Sequence, residues 1–279
     1  MGSREAAFAG SEGRVFYRVW EPATPAHRIV VVVHGYAEHS ARYTHVAEIL
    51  EAAGSAVYAE DHLGHGHSDG ERALITDFEH IVDDLQTLAG IAAAEHPGRP
   101  VIFAGHSMGG LLASRYAQRH PDAVAGLILM GAVIGDWRWA RETLEQAEMP
   151  DPPTDWSGMS RDPETVRQYS TDPLVYRDRY KRPLLEAEVV ALDRFNAEID
   201  RLTMPVLLLH GRSDPFVYYR TSLEAACRLP TGDLVIRVFP GARHELVNET
   251  NRVEVIGEIV RFVTRVAPAR RPAPQPADA

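Results

Sequence analysis

Short apolar runs alternate with amphipathic segments along most of this chain. Runs of mainly apolar residues are typical of strands buried on both faces, and they lie at 29–33, 56–59, 101–104, 126–130, 205–209 and 234–239. Apolar residues three or four positions apart predict helices, and such segments lie at 42–53, 77–96, 107–119, 217–228 and 251–266. The alternation predicts an α/β fold with a mostly parallel central sheet and helices on both faces.

Two segments depart from this rhythm. Positions 13–20 alternate apolar and polar side chains, which predicts a half-exposed antiparallel strand at a sheet edge. Positions 135–201 contain tryptophans among many prolines and no strand pattern, so we expect an inserted helical lid over the strand ends, with its best helix at 184–199.

The domain organisation follows from these patterns. We expect one α/β core formed by residues 1–134 and 202–266, interrupted by the lid at 135–201. Residues 267–279 contain four prolines and no apolar period, which predicts a disordered tail.

Composition excludes several classes of function. A formal charge of −10 argues against nucleic acid or an anionic membrane surface as the main partner. The single cysteine, Cys227, allows no intramolecular disulfide, and we expect it to be a small core residue. The N-terminal residues lack the apolar core of a signal peptide, and no apolar run approaches the roughly 20 residues needed to cross a bilayer. We therefore expect a cytoplasmic protein.

The first candidate for chemistry is the pentapeptide from Gly105 to Gly109, whose central residue is Ser107. It follows a predicted strand and precedes a predicted helix. That is the setting of a G-x-S-x-G nucleophile elbow, in which the backbone N–H of the next residue, Met108, faces a developing oxyanion. The pentapeptide alone is equally compatible with a helix N-cap serine. The strand before it and the helix after it favour the nucleophile.

A serine hydroxyl needs a base, and the base needs an anion that holds it in the correct tautomer. Asp214 lies just beyond the strand at 205–209, and His244 just beyond the strand ending at 239. The order Ser, Asp, His, each after a separate parallel strand, is typical of an α/β-hydrolase triad. Considered alone, Asp214 is also compatible with a turn-forming residue and His244 with a solvated loop residue. The alternative acids Asp136, Asp193 and Asp200 fit the triad less well.

The loop after the strand at 29–33 is expected to supply the second oxyanion donor, through the backbone N–H of Tyr36. A second polar loop contains His62, His65 and His67 among three glycines. These histidines have no acidic partner at metal-ligand spacing, so we expect a packed loop and no metal site.

The chain resembles the monoacylglycerol lipases, a branch of the serine-aminopeptidase-like α/β-hydrolases. The matching segments are HGYAEHSARY from residue 34, DHLGHGHS from residue 61, the elbow, DPL from residue 172, and the regions of Asp214 and His244. Ala37 stands where the family often has glycine. The resemblance implies hydrolysis of a monoacylglycerol through an acyl-serine, without a cofactor. It also implies that Glu38 and Arg42 form a polar pocket for the glycerol hydroxyls, whereas their spacing alone fits a surface pair at a helix start.

Other functions remain open at this stage. A broader carboxylesterase or lysophospholipase would use the same triad, and the fold also hosts non-catalytic binding proteins. A peptidase would need an acidic pocket for a free amino terminus, and the sequence identifies none. In the lid we expect core packing or acyl-chain contact from Trp137, Trp139, Leu144 and Met149. We expect a lipid ester as the substrate, transient contact with a lipid surface through the lid, and no nucleic-acid partner; the sequence leaves the oligomeric state open.

Overall fold

A computed structural model describes residues 3–269. The strands are β1 (Arg4–Ala9), β2 (Arg14–Trp20), β3 (Arg28–Val33), β4 (Ser55–Glu60), β5 (Val101–His106), β6 (Gly126–Met130), β7 (Val206–Gly211) and β8 (Leu234–Phe239). The helices are α1 (Thr44–Ala52), α2 (Phe78–Glu95), α3 (Met108–Arg119), α4 (Arg138–Leu144), α5 (Pro163–Thr171), α6 (Arg182–Ala197), α7 (Tyr219–Ala226) and α8 (Arg252–Val266).

Within residues 3–269 the strands form one eight-stranded sheet in the order β1-β2-β4-β3-β5-β6-β7-β8. The six strands from β4 to β8 in that order are parallel, and β2 pairs antiparallel with both β1 and β4. This confirms the predicted α/β-hydrolase fold with a mostly parallel sheet. The edge position predicted for the strand at 13–20 is wrong, because β1 covers it. The sequence of β1, REAAFA, contains little bulky apolar side chain and so carries a weak strand signal.

The core lies on both faces of the sheet because successive side chains of each strand point to opposite sides. Along β3, Ile29, Val31 and Val33 pack in one cluster with residues of α2, α3 and α6. Val30 and Val32 belong to the other cluster, with residues of α1 and α8. This arrangement explains why the parallel strands are continuous apolar runs.

The segment between β6 and β7, called the insertion below (135–201), contains α4, α5 and α6 and, among the described residues, no strand. Its last helix is unlike the others, because Leu184, Leu192 and Phe195 of α6 are fully buried in the main core cluster. A smaller cluster of Met159, Tyr169 and Val175 packs within the insertion. The insertion is therefore anchored in the core at one end.

Two further expectations are corrected. Cys227 is exposed, since it lies at the end of α7 on the solvent side. Ala267 is 2 % exposed and its carbonyl accepts a hydrogen bond from Arg28 Nε at 2.7 Å, so the folded chain extends past Val266. The rest of the predicted tail, from residue 270, lies outside the described residues. In the part of the chain that is described, no helix is long and apolar enough to cross a membrane.

Candidate active site

Ser107 occupies a sharp turn between β5 and α3. Its backbone has φ 53° and ψ −122°, a sparsely populated conformation that costs a non-glycine residue about 1–3 kcal/mol. The turn is held by hydrogen bonds from Ser107 N–H to the Met130 carbonyl at 3.0 Å and from the Val133 N–H to the Ser107 carbonyl at 3.1 Å. A Cβ on Gly109 would overlap the carbonyl oxygens at the end of β3, so this close approach requires glycine. The strain is concentrated on the residue predicted to be the nucleophile.

Asp214 and His244 meet beyond the carboxyl ends of β7 and β8. His244 Nδ1 lies 2.8 Å from Asp214 Oδ2, while Asp214 Oδ1 accepts from the N–H groups of Phe216 and Val217 at 2.9 and 3.0 Å. Burial alone would raise the pKa of Asp214, but the neighbouring His244, His210 and backbone donors lower it. The aspartate is therefore ionised at neutral pH and fixes the orientation of the His244 ring.

Ser107 and His244 line the same cavity, of about 350 Å³. Among the described residues no hydrogen bond joins Ser107 to the His244 ring. Catalytic hydrogen bonds often tighten only when substrate is bound. Two of the three candidate triad residues, Ser107 and His244, thus lie at one cavity, and the third, Asp214, contacts the His244 ring.

Tyr36 and Met108 lie on the two loops next to Ser107. Met108 is the first residue of α3, so its N–H has no acceptor within the helix. Tyr36 lies in the turn after β3 and lines the cavity. In residues 3–269, neither backbone N–H donates to another protein group. Both remain candidates for the oxyanion hole.

Ala37 adopts the backbone conformation for which glycine is usual. Its φ is 66°, and its carbonyl accepts from the Tyr176 N–H of the insertion at 2.9 Å. A second bond joins the same two regions, between His39 Nε2 and Asp172 Oδ2 at 2.9 Å. The loop therefore keeps a left-handed turn despite the alanine, and contacts with the insertion hold it.

Glu38 connects the Tyr36 loop to the elbow. Its Oε1 accepts from the Gly35 N–H and the Tyr43 hydroxyl, both at 2.7 Å, and lies 2.9 Å from His106 Nδ1. The other ring nitrogen of His106 lies 3.2 Å from the His244 carbonyl. Burial would lower the pKa of His106, but Glu38 raises it above its ordinary value. Through its two ring nitrogens, His106 thus links the Tyr36 loop to the loop of His244.

Arg42 does not belong to a surface pair, because its side chain is 7 % exposed. Its Nη2 bonds both carboxylate oxygens of Glu245, at 2.6 and 2.5 Å, and its Nε lies 3.3 Å from Glu38 Oε2. Glu38 and Glu245 line the cavity, but Arg42 does not. Glu245 therefore holds Nη2 of Arg42 away from the cavity lining, and the contact of Arg42 with glycerol hydroxyls stays a prediction.

Only some of the lid residues predicted from the sequence lie at the cavity. Trp137 and Trp139 line it, and the Trp137 indole donates to the Phe216 carbonyl at 3.2 Å. Within the described residues, Leu144 and Met149 are not part of its lining. Leu144 ends α4, where its carbonyl instead accepts from Arg182 at 3.0 Å. Proximity in sequence to the tryptophans was a poor guide in this irregular segment.

Comparison with known proteins places this geometry in a family. The family model described as serine aminopeptidase, S33, matches residues 24–251. The chain belongs to this family.

The relatives of this S33 chain include lipases and an esterase. A monoacylglycerol lipase of Mycolicibacterium smegmatis is 35% identical over 93% of this chain and 96% of its own length. The solved monoacylglycerol lipase of Paleococcus ferrophilus is 28% identical, with a TM-score of 0.77, 95% of this chain covered and 100% of the other. A carboxyl esterase from Bacillus coagulans, solved in complex with glycerol, is 26% identical, with a TM-score of 0.81 and coverage of 96% and 99%.

The histidine loop of this S33 chain is a packed structure. His34 and His62 stack with ring centroids 3.9 Å apart, and the His62 N–H donates to His34 Nε2 at 3.0 Å. Burial lowers the pKa of both His62 and His65 to about 4, so they are neutral at pH 7. His67 is exposed. A possible ligand group for a metal lies elsewhere in the described residues, at Glu21, Glu95 and His96, and it is largely exposed.

Sequence reasoning missed two polar residues of the insertion. Tyr180 stacks on Tyr36 with centroids 4.0 Å apart, and its hydroxyl donates to Glu188 Oε2 at 2.5 Å. Glu188 is 1 % exposed and lines the cavity. A signal was available, because Glu188 occupies the apolar face of α6, where Leu184, Ala191 and Leu192 are buried.

Proposed function

We propose that this S33-family protein is a serine hydrolase that cleaves the fatty-acyl ester bond of monoacylglycerols. The observation that carries the proposal is a strained Ser107 that shares a cavity with His244, whose ring is oriented by an ionised Asp214. The relatives favour a monoacylglycerol as the substrate, since two proteins similar along nearly the whole chain are monoacylglycerol lipases.

The reaction follows from the roles of these groups. His244 Nε2 accepts the Ser107 proton as Oγ attacks the ester carbonyl, and the N–H groups of Tyr36 and Met108 stabilise the oxyanion. Protonated His244 then gives the proton to the departing glycerol oxygen, which leaves an acyl-serine. Water repeats the sequence with His244 as base, releasing the fatty acid and restoring Ser107.

The acyl chain lies in the apolar part of the cavity, against Trp137 and Trp139. Each CH₂ transferred from water contributes about 0.8 kcal/mol to its binding. Trp139 is also 42 % exposed, which supports transient contact of the insertion, acting as a lid, with a lipid surface. A cytoplasmic protein that works at the membrane periphery fits this role.

The test is a panel of esters with one acyl chain. Purified protein is assayed on monolaurin, dilaurin, trilaurin, lysophosphatidylcholine and p-nitrophenyl laurate, together with aminoacyl p-nitroanilides as peptidase substrates. We expect the highest kcat/KM of the wild type on monolaurin, and we expect Ser107→Ala to hydrolyse none of the esters. Equal rates on monolaurin and trilaurin, or cleavage of the anilides alone, would contradict the proposal.

A broader carboxylesterase is the second candidate. It is favoured by the similarity to the Bacillus coagulans carboxyl esterase and by the position of Arg42, which bonds Glu245 and is not part of the cavity lining. A lysophospholipase has no comparable observation in its favour. A preference for p-nitrophenyl over glycerol esters in the same panel would identify the carboxylesterase.

A further inference from the structure

The insertion contributes a polar cluster to the cavity that the proposed mechanism does not use. Tyr180 donates its hydroxyl to one oxygen of Glu188, while the other oxygen, Oε1, has no partner among residues 3–269. The hydroxyl of Tyr36 is likewise buried and without a partner in the described chain. All three side chains line the cavity that also contains Ser107.

Two unpartnered polar atoms are unusual in a buried cluster. Folded proteins pair nearly all their buried polar side-chain atoms, because an unmade hydrogen bond leaves the cost of desolvation uncompensated. Glu188 is the extreme case, with a carboxyl that is 1 % exposed on a helix face otherwise made of apolar residues. A ligand that supplies the missing partners would recover this cost. The cluster therefore has the properties of a binding subsite.

The chemistry of the cluster selects a neutral ligand that both donates and accepts. Burial raises the pKa of Glu188 to about 8, so its carboxyl is mostly protonated at pH 7. A protonated carboxyl and the phenol of Tyr36 each have one O–H to donate and lone pairs to accept. An alcohol hydroxyl has the same two capacities. A cationic amine would instead require the ionised carboxylate.

The residues first expected to bind free hydroxyls are charged and paired mainly with each other and with Glu245. Glu38 Oε1 has three partners, and its Oε2 makes no hydrogen bond but forms an ion pair with Arg42 Nε at 3.3 Å, while Arg42 Nη2 bonds Glu245. We propose that Glu188 and Tyr36 form a subsite for a free hydroxyl of the substrate. This inference rests on the ester hydrolysis proposed above and specifies the substrate class of that site.

The hydroxyl has two sources in a substrate, the alcohol portion and the acyl chain, and paired esters separate them. Monolaurin is compared with ethyl laurate, and p-nitrophenyl 12-hydroxylaurate with p-nitrophenyl laurate. The variants are Glu188→Leu, which removes the hydrogen bonds, Glu188→Gln, which keeps a donor and an acceptor, and Tyr36→Phe, which removes only the hydroxyl. Glu186→Gln, on the exposed side of α6, is the matched control. Circular dichroism and thermal melting verify the fold of each variant.

We expect Glu188→Leu to reduce the kcat/KM preference for the hydroxylated member of one pair about tenfold, the scale of one or two lost hydrogen bonds. Tyr36→Phe should reduce it less, Glu188→Gln should retain most of it, and Glu186→Gln should match wild type. A change in the monolaurin pair assigns the subsite to glycerol, and a change in the p-nitrophenyl pair assigns it to an oxygenated acyl chain. Unchanged ratios in both pairs for folded Glu188→Leu would overturn the subsite.

The outcome is separable from the proposed function. Ser107-dependent cleavage of p-nitrophenyl laurate tests the hydrolase chemistry without any free hydroxyl. If wild type cleaves that ester but shows no preference for monolaurin, the monoacylglycerol assignment fails. The p-nitrophenyl pair then decides the subsite on its own.

Discussion

The cavity has two unlike walls. On the core wall, His106 ends β5, Ser107 follows it and His244 follows β8, and a hydrogen bond joins His106 to the His244 carbonyl. On the insertion wall, Trp137 and Trp139 present large apolar surfaces, and one oxygen of Glu188 has no partner among residues 3–269. In the proposed function the core wall makes and breaks bonds, whereas the insertion wall receives parts of the substrate.

The largest effect should come from the core wall. Ser107→Ala removes the nucleophile and little buried surface, so the protein should fold normally and lose at least about four orders of magnitude in kcat. Asp214→Asn should be nearly as damaging, because the amide stabilises the wrong tautomer of His244. Steady-state kinetics and labelling by a fluorophosphonate measure both losses. Retention of a tenth of the activity in Ser107→Ala would show that Ser107 is not the nucleophile and that the core wall does not carry the chemistry.

A smaller loss of activity is expected at Tyr36, where the two walls meet. Two variants distinguish the role of its backbone N–H from that of its side chain. Tyr36→Pro removes the N–H and should lower kcat by about 10²–10³, the usual cost of one oxyanion donor. Tyr36→Ala keeps the N–H and should retain substantial activity on p-nitrophenyl esters. The comparison is valid if circular dichroism shows both variants folded. Full activity of Tyr36→Pro would place the second donor elsewhere.

Truncating the insertion wall should affect binding of the acyl chain more than chemistry. Trp137→Ala removes apolar contact, and at about 0.8 kcal/mol per buried CH₂ the loss of two methylene contacts would raise KM for lauroyl esters roughly tenfold. Glycerol and p-nitrophenyl esters of one acid should weaken together, while acetate esters change little. A selective loss on glycerol esters would show that Trp137 contacts the alcohol portion instead.

The last effect concerns the stability of the fold and not the rate of catalysis. The folded-state pKa of Glu188 is about 8, above the ordinary value of 4.5, so the folded protein holds a proton that the unfolded chain releases. Stability should therefore fall as pH rises from about 4.5 to 8. Facing Glu188 are Tyr180 and Tyr36, whose pKa values are raised, so both remain neutral.

Glu188→Gln removes this dependence. Its melting temperature relative to wild type should increase by roughly 6–12 °C between pH 5 and pH 8. Raising the pKa of Glu188 from 4.5 to about 8 costs wild type about 3 kcal/mol of stability over this range, and each kcal/mol shifts the midpoint of a large domain by roughly 2–4 °C. Glu186→Gln, exposed on the same helix, should show no such trend. Parallel melting curves for wild type and Glu188→Gln across this range would mean that Glu188 is ionised in the fold.

The order of the parallel strands and of the helices between them could be predicted from the sequence, because burial on both faces makes a parallel strand a continuous apolar run. It also located Ser107, Asp214 and His244 as candidates, since the carboxyl ends of parallel strands lie at one edge of a sheet. The sequence pattern did not reveal β1, which is only weakly apolar. It therefore also did not show that β1 covers the edge of β2.

Tertiary structure decided what the periodic signals do not encode. Arg42 looks like half of an i,i+4 pair with Glu38, yet its strongest partner is Glu245, 203 positions away in the chain. Leu144 and Met149 resemble Trp137 and Trp139 in character, but the path of an irregular insertion sets which of them reach the cavity. Glu188 became significant only when α6 placed its carboxyl beside Tyr180 and left its other oxygen buried without a partner among residues 3–269. Local patterns report burial along one element, whereas a polar site depends on which distant elements the fold brings within hydrogen-bond distance.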